Sequence, residues 1–312
     1  MILRRLRVLP VMLVLISFFV FSLAELAPGS TESAMLAGRP ATPAALAAIR
    51  KAYHLDEPLL VQYAIWARGA IVLDFGRSLR TRQPVSDLIA DRVGVTAFLG
   101  LYAFAITVIG GIGLGVISAL RAGSSVDRGI VALVVVGISA PAFVTGLILL
   151  YIFAVNLRWF PIFGSGDGIL DGLWHYALPA VALALTSMAL LVKLTRTSMI
   201  NAMQQDYVVF ARSRGIPRTR VIFLYGLRNA LIPCITAGGL ILGYMLTGAV
   251  LIEVTFALPG LGTLLVESIN FKDIPVLQAL VMLTAVILVL VNLGVDLLYQ
   301  RVDPRIRFDS VA

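Results

Sequence analysis

The segment that decides the fold is residues 93–120, which read VGVTAFLGLYAFAITVIGGIGLGVISAL. None of its 28 residues is Asp, Glu, Lys or Arg. About 20 apolar helical residues are enough to cross the roughly 30 Å hydrocarbon core of a bilayer. Because buried helices of soluble proteins rarely run this long without a charge, the segment predicts a membrane-spanning helix.

Five more segments share this character, and the composition of the whole chain agrees with them. The 312 residues are 59% hydrophobic and 13% charged, with a mean hydropathy of +0.96, whereas soluble domains carry about 25% charged residues. A chain this apolar needs a non-aqueous solvent for much of its surface. We therefore predict an all-α integral membrane protein with six spans, at residues 8–24, 93–120, 129–157, 172–192, 229–252 and 274–295.

The basic residues of the loops predict the orientation, because Lys and Arg accumulate in short cytoplasmic loops. Fifteen of the 25 Lys and Arg residues fall on one side of the predicted spans, and the opposite short loops carry only Arg158 and Lys272. The other eight lie in the long segment 28–92, where the rule has little force. Both termini are therefore predicted to be cytoplasmic, in a multi-pass protein of the cell inner (plasma) membrane. This placement accounts for most of the net charge of +8, so no nucleic-acid partner is expected.

The predicted spans divide the chain into regions: the first span with its basic start (1–27), an extracytoplasmic loop or cap (28–92), a five-helix core (93–300) with a cytoplasmic loop at 197–228, and a cytoplasmic tail (301–312). In the cap, Leu46, Ile49 and Tyr53 recur at helical spacing. Thr42 and Pro43 fit the start of that helix. We expect a small cap packed on the outer mouth rather than a separate domain.

Glycines and prolines inside the spans predict how the helices pack and bend. Small-xxx-small spacing, which lets helices approach closely in lipid, is found among Gly111, Gly113 and Gly115 and between Gly239 and Gly243. Three prolines each remove a helix hydrogen bond and are expected to kink their spans: Pro141, Pro179 and Pro233. Neither feature identifies a function, since static membrane proteins share both.

The most informative segment is DYVVFARSRGIP at residues 206–217, between the fourth and fifth predicted spans. Asp206 fits an N-cap, because its carboxylate can accept the orphan backbone N–H groups of a first turn. Gly215 fits the left-handed position that ends a helix, and Pro217 follows as a stop. The segment therefore predicts a helix of about eight residues, about 12 Å long.

This short helix is expected to carry an aromatic face among basic residues. Tyr207, Phe210 and Ala211 share one face at i, i+3, i+4 spacing. Four arginines surround it, namely Arg212, Arg214, Arg218 and Arg220. Two interpretations stay open on physical grounds: the face docks into a groove of a partner protein, or it packs against the protein's own helix ends or the lipid headgroups.

The same loop resembles that of the permeases of binding-protein-dependent ABC importers, and specifically the B-type subunit of the dipeptide/oligopeptide branch. The matching run is Asp206-Tyr207-Val208, Ala211-Arg212 and Gly215, followed by Leu227-Arg228-Asn229-Ala230-Leu231 and Pro233. It departs from the general importer pattern at Val209-Phe210, where many families have Glu-Ala, and at Arg228, where they have Pro. Further matches in family order cover nearly the whole chain: Tyr53-His54-Leu55-Asp56, Asp74-Phe75-Gly76, Ser139-Ala140-Pro141, Trp159-Phe160-Pro161 and Asp303-Pro304-Arg305.

The resemblance implies the type I ABC importer permease fold and a channel-forming subunit of an ATP-driven importer of dipeptides or oligopeptides. It implies as partners a homologous C-type permease subunit, two ATP-binding subunits and an extracytoplasmic substrate-binding protein, all in membrane lipid. It also implies a coupling helix that inserts into an ATPase subunit, carried by Asp206, Tyr207, Val208, Phe210, Ala211, Arg212, Arg214 and Gly215.

No P-loop pattern, Gly-x4-Gly-Lys-Ser/Thr, occurs in the sequence. The chain is therefore not expected to be an enzyme or to bind a cofactor, and the resemblance assigns ATP and Mg to the partner ATPase subunits. The single cysteine excludes an internal disulfide.

The loop between the fifth and sixth spans has two interpretations. Pro259, Gly260 and Gly262 favour a tight re-entrant turn with a structural role. The resemblance instead assigns this loop, together with Glu253, Phe256 and Asp273, to contact with the binding protein or to a plug over the lumen. We expect a structural turn that also serves as a gate. Because a carboxylate is costly to bury in a membrane, Glu253 is expected to reach water or a partner.

The remaining predictions concern single residues. The translocation path is expected near Pro141, Phe143 and Pro233. Lys193 and Arg196 are expected to extend to the cytoplasmic headgroups, and Cys234 to pack as an apolar side chain. His54 and His175 lie far apart, and no metal site is expected from them.

Two other classes of function, a membrane-embedded enzyme and an ATP-independent carrier or channel, make different demands on the sequence. A membrane-embedded protease or lipid hydrolase would need paired acids, a Ser–His dyad or His-Glu-x-x-His inside spans, and the predicted spans hold no acid at all. An ATP-independent carrier or passive channel would transport without the ATPase subunits. Within the importer class, glutathione, nickel complexes and haem are alternative substrates, and specificity in such systems lies mostly in the binding protein.

The first span has a rival interpretation as a cleavable signal peptide, because an Arg-rich start and an apolar run precede Ser22-Leu23-Ala24. The run is slightly long for that role and no polar spacer precedes Glu25, so we expect the helix to be retained. Intact-mass measurement of the purified protein is then expected to give 33.5 kDa. A product that begins at Glu25 would contradict the prediction.

Overall fold

The computed structural model describes residues 2–25 and 56–302. In that part of the chain every regular element is helical, apart from an isolated β-bridge between Arg77 and Pro84. The amphipathic segment predicted at residues 42–53 and the tail motif Asp303-Pro304-Arg305 lie outside the described residues.

The helices of the described part follow one another as α1 (Ile2–Glu25), α2 (Leu59–Ile71), α3 (Val85–Leu120), α4 (Ser125–Ser139), α5 (Ala142–Leu149), α6 (Gly168–His175), α7 (Ala177–Met203), α8 (Asp206–Ser213), α9 (Arg218–Arg220), α10 (Arg228–Thr255), α11 (Leu261–Asn270) and α12 (Ile274–Val302). α5 continues as a π-helical segment over Leu150–Asn156, and α9 continues as another over Val221–Leu227.

Several of these helices can cross a bilayer. Four stretches are long and apolar enough by themselves, namely Val85–Leu120, Ala177–Met203, Arg218–Met245 and Ile274–Val295. A fifth is obtained if Ser125–Ser139 and Ala142–Asn156 form one broken span. Within the described residues the first predicted span shows a shorter apolar stretch, Pro10–Ser22. The all-α membrane fold is confirmed, whereas the count of six spans and the orientation of the termini stay predictions.

The three prolines predicted to kink their spans behave differently. Pro141 separates α4 from α5, and the bend of 109° at this break confirms the kink predicted there. Pro179 is the third residue of α7, and the predicted fourth span is interrupted at Tyr176, between α6 and α7. This break lies where a proline at position 179 removes the helix hydrogen bond to His175, and a kink of the span at Pro179 stays a prediction. Pro233 lies inside α10, which continues past it; a kink there stays a prediction.

The chain forms two compact units, and the first comprises residues 1–95 and 259–289. In this unit aromatic side chains join α1 to α2. The rings of Phe18 and Phe21 pack edge-on against Tyr63, with centroids 5.2 and 5.8 Å apart. The hydroxyl groups of Ser17 and Tyr63 are hydrogen-bonded at 2.7 Å. α1 is therefore held to α2 by aromatic packing and by hydrogen bonds of the Tyr63 hydroxyl group, which also donates to Val14 O at 3.3 Å.

A buried carboxylate organises another part of the first unit. α11 ends at a left-handed Lys272 (φ 54°), and the N–H of Asp273 donates to Ser268 O at 2.8 Å, which closes a Schellman-type turn. The Asp273 carboxylate then accepts hydrogen bonds from the Ser78 hydroxyl and from Leu79 N–H, the latter at 3.0 Å. Beside it lies an apolar core of Val85, Leu88, Leu264, Val276, Ala279 and Leu280. The loop before α3 is thus fixed to the α11–α12 turn.

The second unit comprises residues 96–258 and 290–312, and α7 lies at its centre, packed against α4, α5 and α10. Side chains added at three of the predicted packing glycines would collide with a facing helix: Gly111, Gly115 and Gly239. The close approach predicted for these three positions is confirmed, and at Gly115 the facing residue is Thr195 on α7. Gly113 faces open space instead.

Replacement of Asp273 by alanine tests the buried carboxylate of the first unit. Asp273→Ala leaves the donors of Ser78 and Leu79 without their acceptor, so we expect a loss of about 2–3 kcal/mol in the free energy of unfolding. Thermal denaturation of the purified protein in detergent measures the loss. Asp91→Ala, at an exposed acid of α3, should stay within about 0.5 kcal/mol of the parent. Equal effects of the two substitutions would contradict this role.

Candidate functional site

The helix predicted at residues 206–217 is present as α8, but it begins in a different way. Its N-cap is Gln205, in the extended conformation and with no side-chain capping bond. The prediction that Asp206 caps the helix is therefore wrong. Asp206 is the first helical residue, where its negative charge still interacts favourably with the helix dipole.

The C-terminal end of α8 closes as predicted. Gly215 has φ +72°, a left-handed conformation that glycine adopts without a Cβ penalty. Its N–H donates to Arg212 O at 2.9 Å, and Ile216 N–H donates to Ala211 O at 3.2 Å. This pair of bonds is the Schellman motif, and Pro217 follows it. The end of α8 is thus rigid and sharply defined.

α8 has a buried face and an exposed face, and their composition differs from the predicted one. Val208 and Ala211 are buried against Val221, with Ile216 packed beside them. Ala211 therefore belongs to the inner face and not to the aromatic one. Tyr207 and Phe210 point outward, 39% and 69% exposed. The basic residues around them are all exposed, namely Arg212, Arg214, Arg218 and Arg220. The helix packs on its own protein and still presents two aromatic rings.

α8 packs on the π-helical segment Val221–Leu227, which leads into α10, and on Met203 at the end of α7. Only Gln204 and Gln205 separate α7 from α8. On the other side, the π-helical segment that leads into α10 approaches α7 closely, because a Cβ on Gly226 would lie 2.7 Å from Met199 Cε. A displacement of α8 therefore has a direct mechanical route to α7 and α10.

The residues assigned by resemblance to an outer gate are mostly buried. Glu253 is fully buried on α10, and its Oε1 accepts a hydrogen bond from Thr96 Oγ1 at 2.6 Å. The expectation that Glu253 reaches water or a partner is therefore wrong, since a polar contact within the protein offsets part of the burial cost. Phe256 is buried in the second unit, where it faces Gly146.

The other members of that set lie in the first unit. Gly260 is buried and caps α11, with its carbonyl accepting from Leu264 N–H at 3.1 Å, and Gly262 is buried in the same helix. Asp273 is the buried carboxylate described above. Pro259 is exposed. The burial of Gly260, Gly262 and Asp273 agrees with the interpretation of this loop as a structural turn, and contact with a binding protein stays a prediction.

A cavity of about 490 Å³ lies in the second unit beside the break at Pro141. Hydroxyl groups of Thr186, Ser187, Tyr244 and Thr247 are among its lining, which contains no charged residue. The remaining lining residues are apolar: Ile138, Ala142, Leu183, Leu190, Ile241, Met245 and Gly248.

One of the three residues predicted near a translocation path lies beside the cavity, and the path itself stays a prediction. Pro141 lies between the lining residues Ile138 and Ala142. Phe143 and Pro233 are not among the lining residues. Thr186 and Ser187 line the cavity and were not among the residues predicted from the sequence, although two adjacent hydroxyl residues in the middle of an uncharged span were a visible signal.

Arg196 does not extend to the headgroups as predicted. It forms a two-point contact with the carboxylate of Asp127, with both N–O distances 2.8 Å. Sequence reasoning missed this pair because Asp127 lies 69 residues away, just before a predicted span. Another omission is Asp171, whose carboxylate lies 3.3 Å from His175 Nδ1 and four residues before it. Cys234 is buried, with Sγ 3.3 Å from Thr195 Oγ1.

Two family models match the chain and together cover most of it. Residues 111–308 match the model described as "Binding-protein-dependent transport system inner membrane component". Residues 1–100 match the model of its N-terminal region.

Proteins of similar sequence are also named as transport permeases. A Brucella abortus protein named as a peptide transport system permease is 40% identical over 304 residues, 96% of each chain. A Sinorhizobium fredii protein named as a peptide ABC transporter permease is 37% identical over 98% of this chain and 99% of its own. A glutathione transport system permease protein of Salmonella choleraesuis is 37% identical over 98% of each chain.

Solved structures support the fold. A chain of an inward-facing methionine ABC transporter superimposes with a TM-score of 0.57 at 14% identity, over 69% of this chain and 96% of its own. A chain of an amino acid ABC transporter gives 0.53 at 18% identity, over 69% and 94%. The fold is that of the type I ABC importer permeases. By sequence and by fold, this chain belongs to the binding-protein-dependent transport system inner membrane components, the permease subunits of ABC importers.

Proposed function

We propose that this protein is a channel-forming subunit of an ATP-driven importer of dipeptides or oligopeptides, and that it moves its substrate by alternating access. The observation that carries the mechanism is α8: a short, sharply ended helix that packs on the end of α7 and on the π-helical segment leading into α10, and that presents Tyr207 and Phe210 outward. Two exposed aromatic rings among arginines fit a groove of a partner protein better than they fit water.

The partners follow from family membership. Permeases of this family work with ATPase and substrate-binding components, and the sequence has no P-loop of its own. We propose two ATP-binding subunits, one of which contacts α8 of this chain, with ATP and Mg bound to those subunits, and an extracytoplasmic binding protein. We further propose that a homologous C-type permease completes the pore.

The substrate class rests on the relatives' names. Two are named for peptides and one for glutathione, which is itself a tripeptide. Glutathione is therefore the second candidate substrate. The mostly apolar lining contains no charged residue that could bind particular charged side chains, while its four hydroxyl-bearing residues can hydrogen-bond to peptide backbone groups, which all peptides share. Selection among peptides would then fall to the binding protein.

The proposed motion follows from how α8 is attached. Closure of the ATPase subunits would displace α8, and the short connection through Gln204 and Gln205 would carry the displacement into α7. α7 and α10 both line the cavity, through Thr186 and Ser187 on the first and Tyr244 and Thr247 on the second. A change in their relative position would open the cavity to one side of the membrane and close it to the other.

The coupling role is tested on the exposed face and on the end of α8. Phe210→Asp places a charge where an aromatic ring should enter a partner's groove, and Gly215→Pro forbids the φ of +72° and removes the N–H bonded to Arg212 O. We expect normal membrane levels, with uptake and stimulated ATPase activity in proteoliposomes both reduced at least about tenfold, equivalent to about 1.4 kcal/mol.

Phe210→Leu is the matched control, because it keeps an apolar side chain at the same exposed position, and it should retain most of the activity. Transport that survives both Phe210→Asp and Gly215→Pro would contradict the coupling role.

The cavity is tested by filling it. Ser187→Phe adds a ring to the lining and should lower the maximal uptake rate at least about tenfold while the complex still hydrolyses ATP. Ser187→Ala removes only a hydroxyl group and should change uptake far less. Proteoliposome uptake of a labelled dipeptide measures both variants. Unchanged uptake by a correctly assembled Ser187→Phe complex would exclude this cavity from the path.

A further inference from the structure

A buried carboxylate that accepts four hydrogen bonds lies at the start of α4. Asp127 is 4% exposed. Its Oδ1 accepts from the Ser118 hydroxyl and from Arg196 Nε, and its Oδ2 accepts from Gly123 N–H and from Arg196 Nη2, each of the three N–O distances being 2.8 Å. Two parallel bonds to a guanidinium fix both the distance and the orientation of the pair. The contact therefore permits little relative movement of the groups that carry it.

Asp127 and the three hydrogen-bond partners of its carboxylate, Ser118, Gly123 and Arg196, are together called the clamp. They come from different elements. Ser118 lies near the end of α3, Gly123 in the turn that follows, Asp127 in the first turn of α4 and Arg196 on α7. Arg196 is ten residues before Asp206 in the chain, and α7 leads into α8 through two residues. The clamp thus ties the start of α4 to the part of α7 that adjoins the coupling helix.

The other end of α4 lies at the cavity. Ile138, near the end of α4, and Ala142, at the start of α5, both line it, and the 109° bend at Pro141 lies between them. α4 therefore has one end held to α7 by the clamp and the other end at a bend beside the proposed path. α7 also runs from the clamp to the cavity, so the two helices connect the same two places side by side.

Apolar packing alone would link α4 to α7 less strictly. Between the two helices lie Ile130 and Val134 on α4 and Ala189 and Val192 on α7. Such contacts are non-directional, and helices packed in this way can shift past one another by small steps. A two-point ion pair has one favourable geometry. The pair at Asp127 and Arg196 is therefore the contact that would make the two helices move together.

We propose that Asp127 and Arg196 are positioning residues for coupling: their ion pair makes α4 follow α7 when α8 is displaced, so that the motion reaches the bend at Pro141 and the cavity. This inference rests on the proposed function of α8. It predicts a particular defect. Without the pair, the ATPase subunits still engage α8 and hydrolyse ATP, but the hydrolysis no longer drives substrate through the pore.

The decisive variant is Asp127→Asn/Arg196→Met. It removes the ion pair between α4 and α7 and keeps their apolar packing. It leaves no buried charge unpaired, and the amide oxygen introduced at position 127 can still accept from Gly123 N–H. Lys193→Met is the matched control, because Lys193 is an exposed cation one turn away on α7. The complete complex, with ATPase subunits and binding protein, is reconstituted in proteoliposomes, and the ATP hydrolysed per labelled dipeptide imported is measured.

We expect the double variant to keep its stimulated ATPase rate within about twofold of the parent while uptake falls at least about tenfold, so that the ATP consumed per dipeptide rises in the same proportion. The Lys193→Met complex should keep the ratio of the parent. The single variant Arg196→Met should also raise the ratio, because it removes both hydrogen bonds of the guanidinium, and Asp127→Asn should raise it less, because its one amide oxygen can still accept from Arg196.

Two outcomes would overturn the inference: a ratio unchanged in the assembled double variant, or uptake and ATPase activity that fall in parallel, as a merely structural role would cause. The complex without substitutions tests the proposed function separately from the role of the ion pair. If the proposed function is wrong, this complex would import the dipeptide without ATP, or its ATPase activity would not respond to the binding protein and dipeptide.

Discussion

The constraint on which the structure depends is that every backbone polar group inside a bilayer must find a partner within the chain. Long helices meet it along their length, and the broken span shows how it is met where a helix stops. Pro141 ends α4, yet Ala140 N–H still bonds to Val136 O at 3.2 Å. The carbonyl of Pro141 accepts from Val144 N–H and Thr145 N–H at 3.0 and 3.1 Å. A sharp bend therefore occurs in the middle of an apolar region without leaving these groups unsatisfied.

The same constraint governs the acidic side chains. Asp127, Glu253 and Asp273 are each at most 4% exposed, and each accepts hydrogen bonds from another element of its own unit. A buried carboxylate is tolerated only where such donors are arranged around it. Because donors on separate elements must keep their geometry, each acid also fixes the relative position of those elements. In the second unit this connects the start of α4, the end of α3 and the C-terminal half of α7.

The proposed coupling function depends on the position of α7 in the second unit. It is the central helix of the second unit, it leads into α8 at one end, and its middle lines the cavity with Thr186 and Ser187. A force applied at the exposed rings of α8 thus has a short route to the cavity. The close approach permitted by Gly115 adds to the stiffness of this route, since a larger side chain there would collide with Thr195 Cβ and with the backbone carbonyl of Val192 on α7.

The sequence by itself determined the class of the protein. Uncharged runs too long for a soluble core predict membrane helices, because membrane insertion depends on local composition. Gly215 and Pro217 predicted where α8 ends, because helix termination depends on the backbone preferences of these two residues. The tertiary structure alone decided which face of α8 is buried, that Glu253 is enclosed and that Arg196 meets Asp127. These outcomes depend on contacts between residues far apart in the chain, such as the 69 positions between Asp127 and Arg196, and spacing along a single sequence carries no information about which distant side chains will meet.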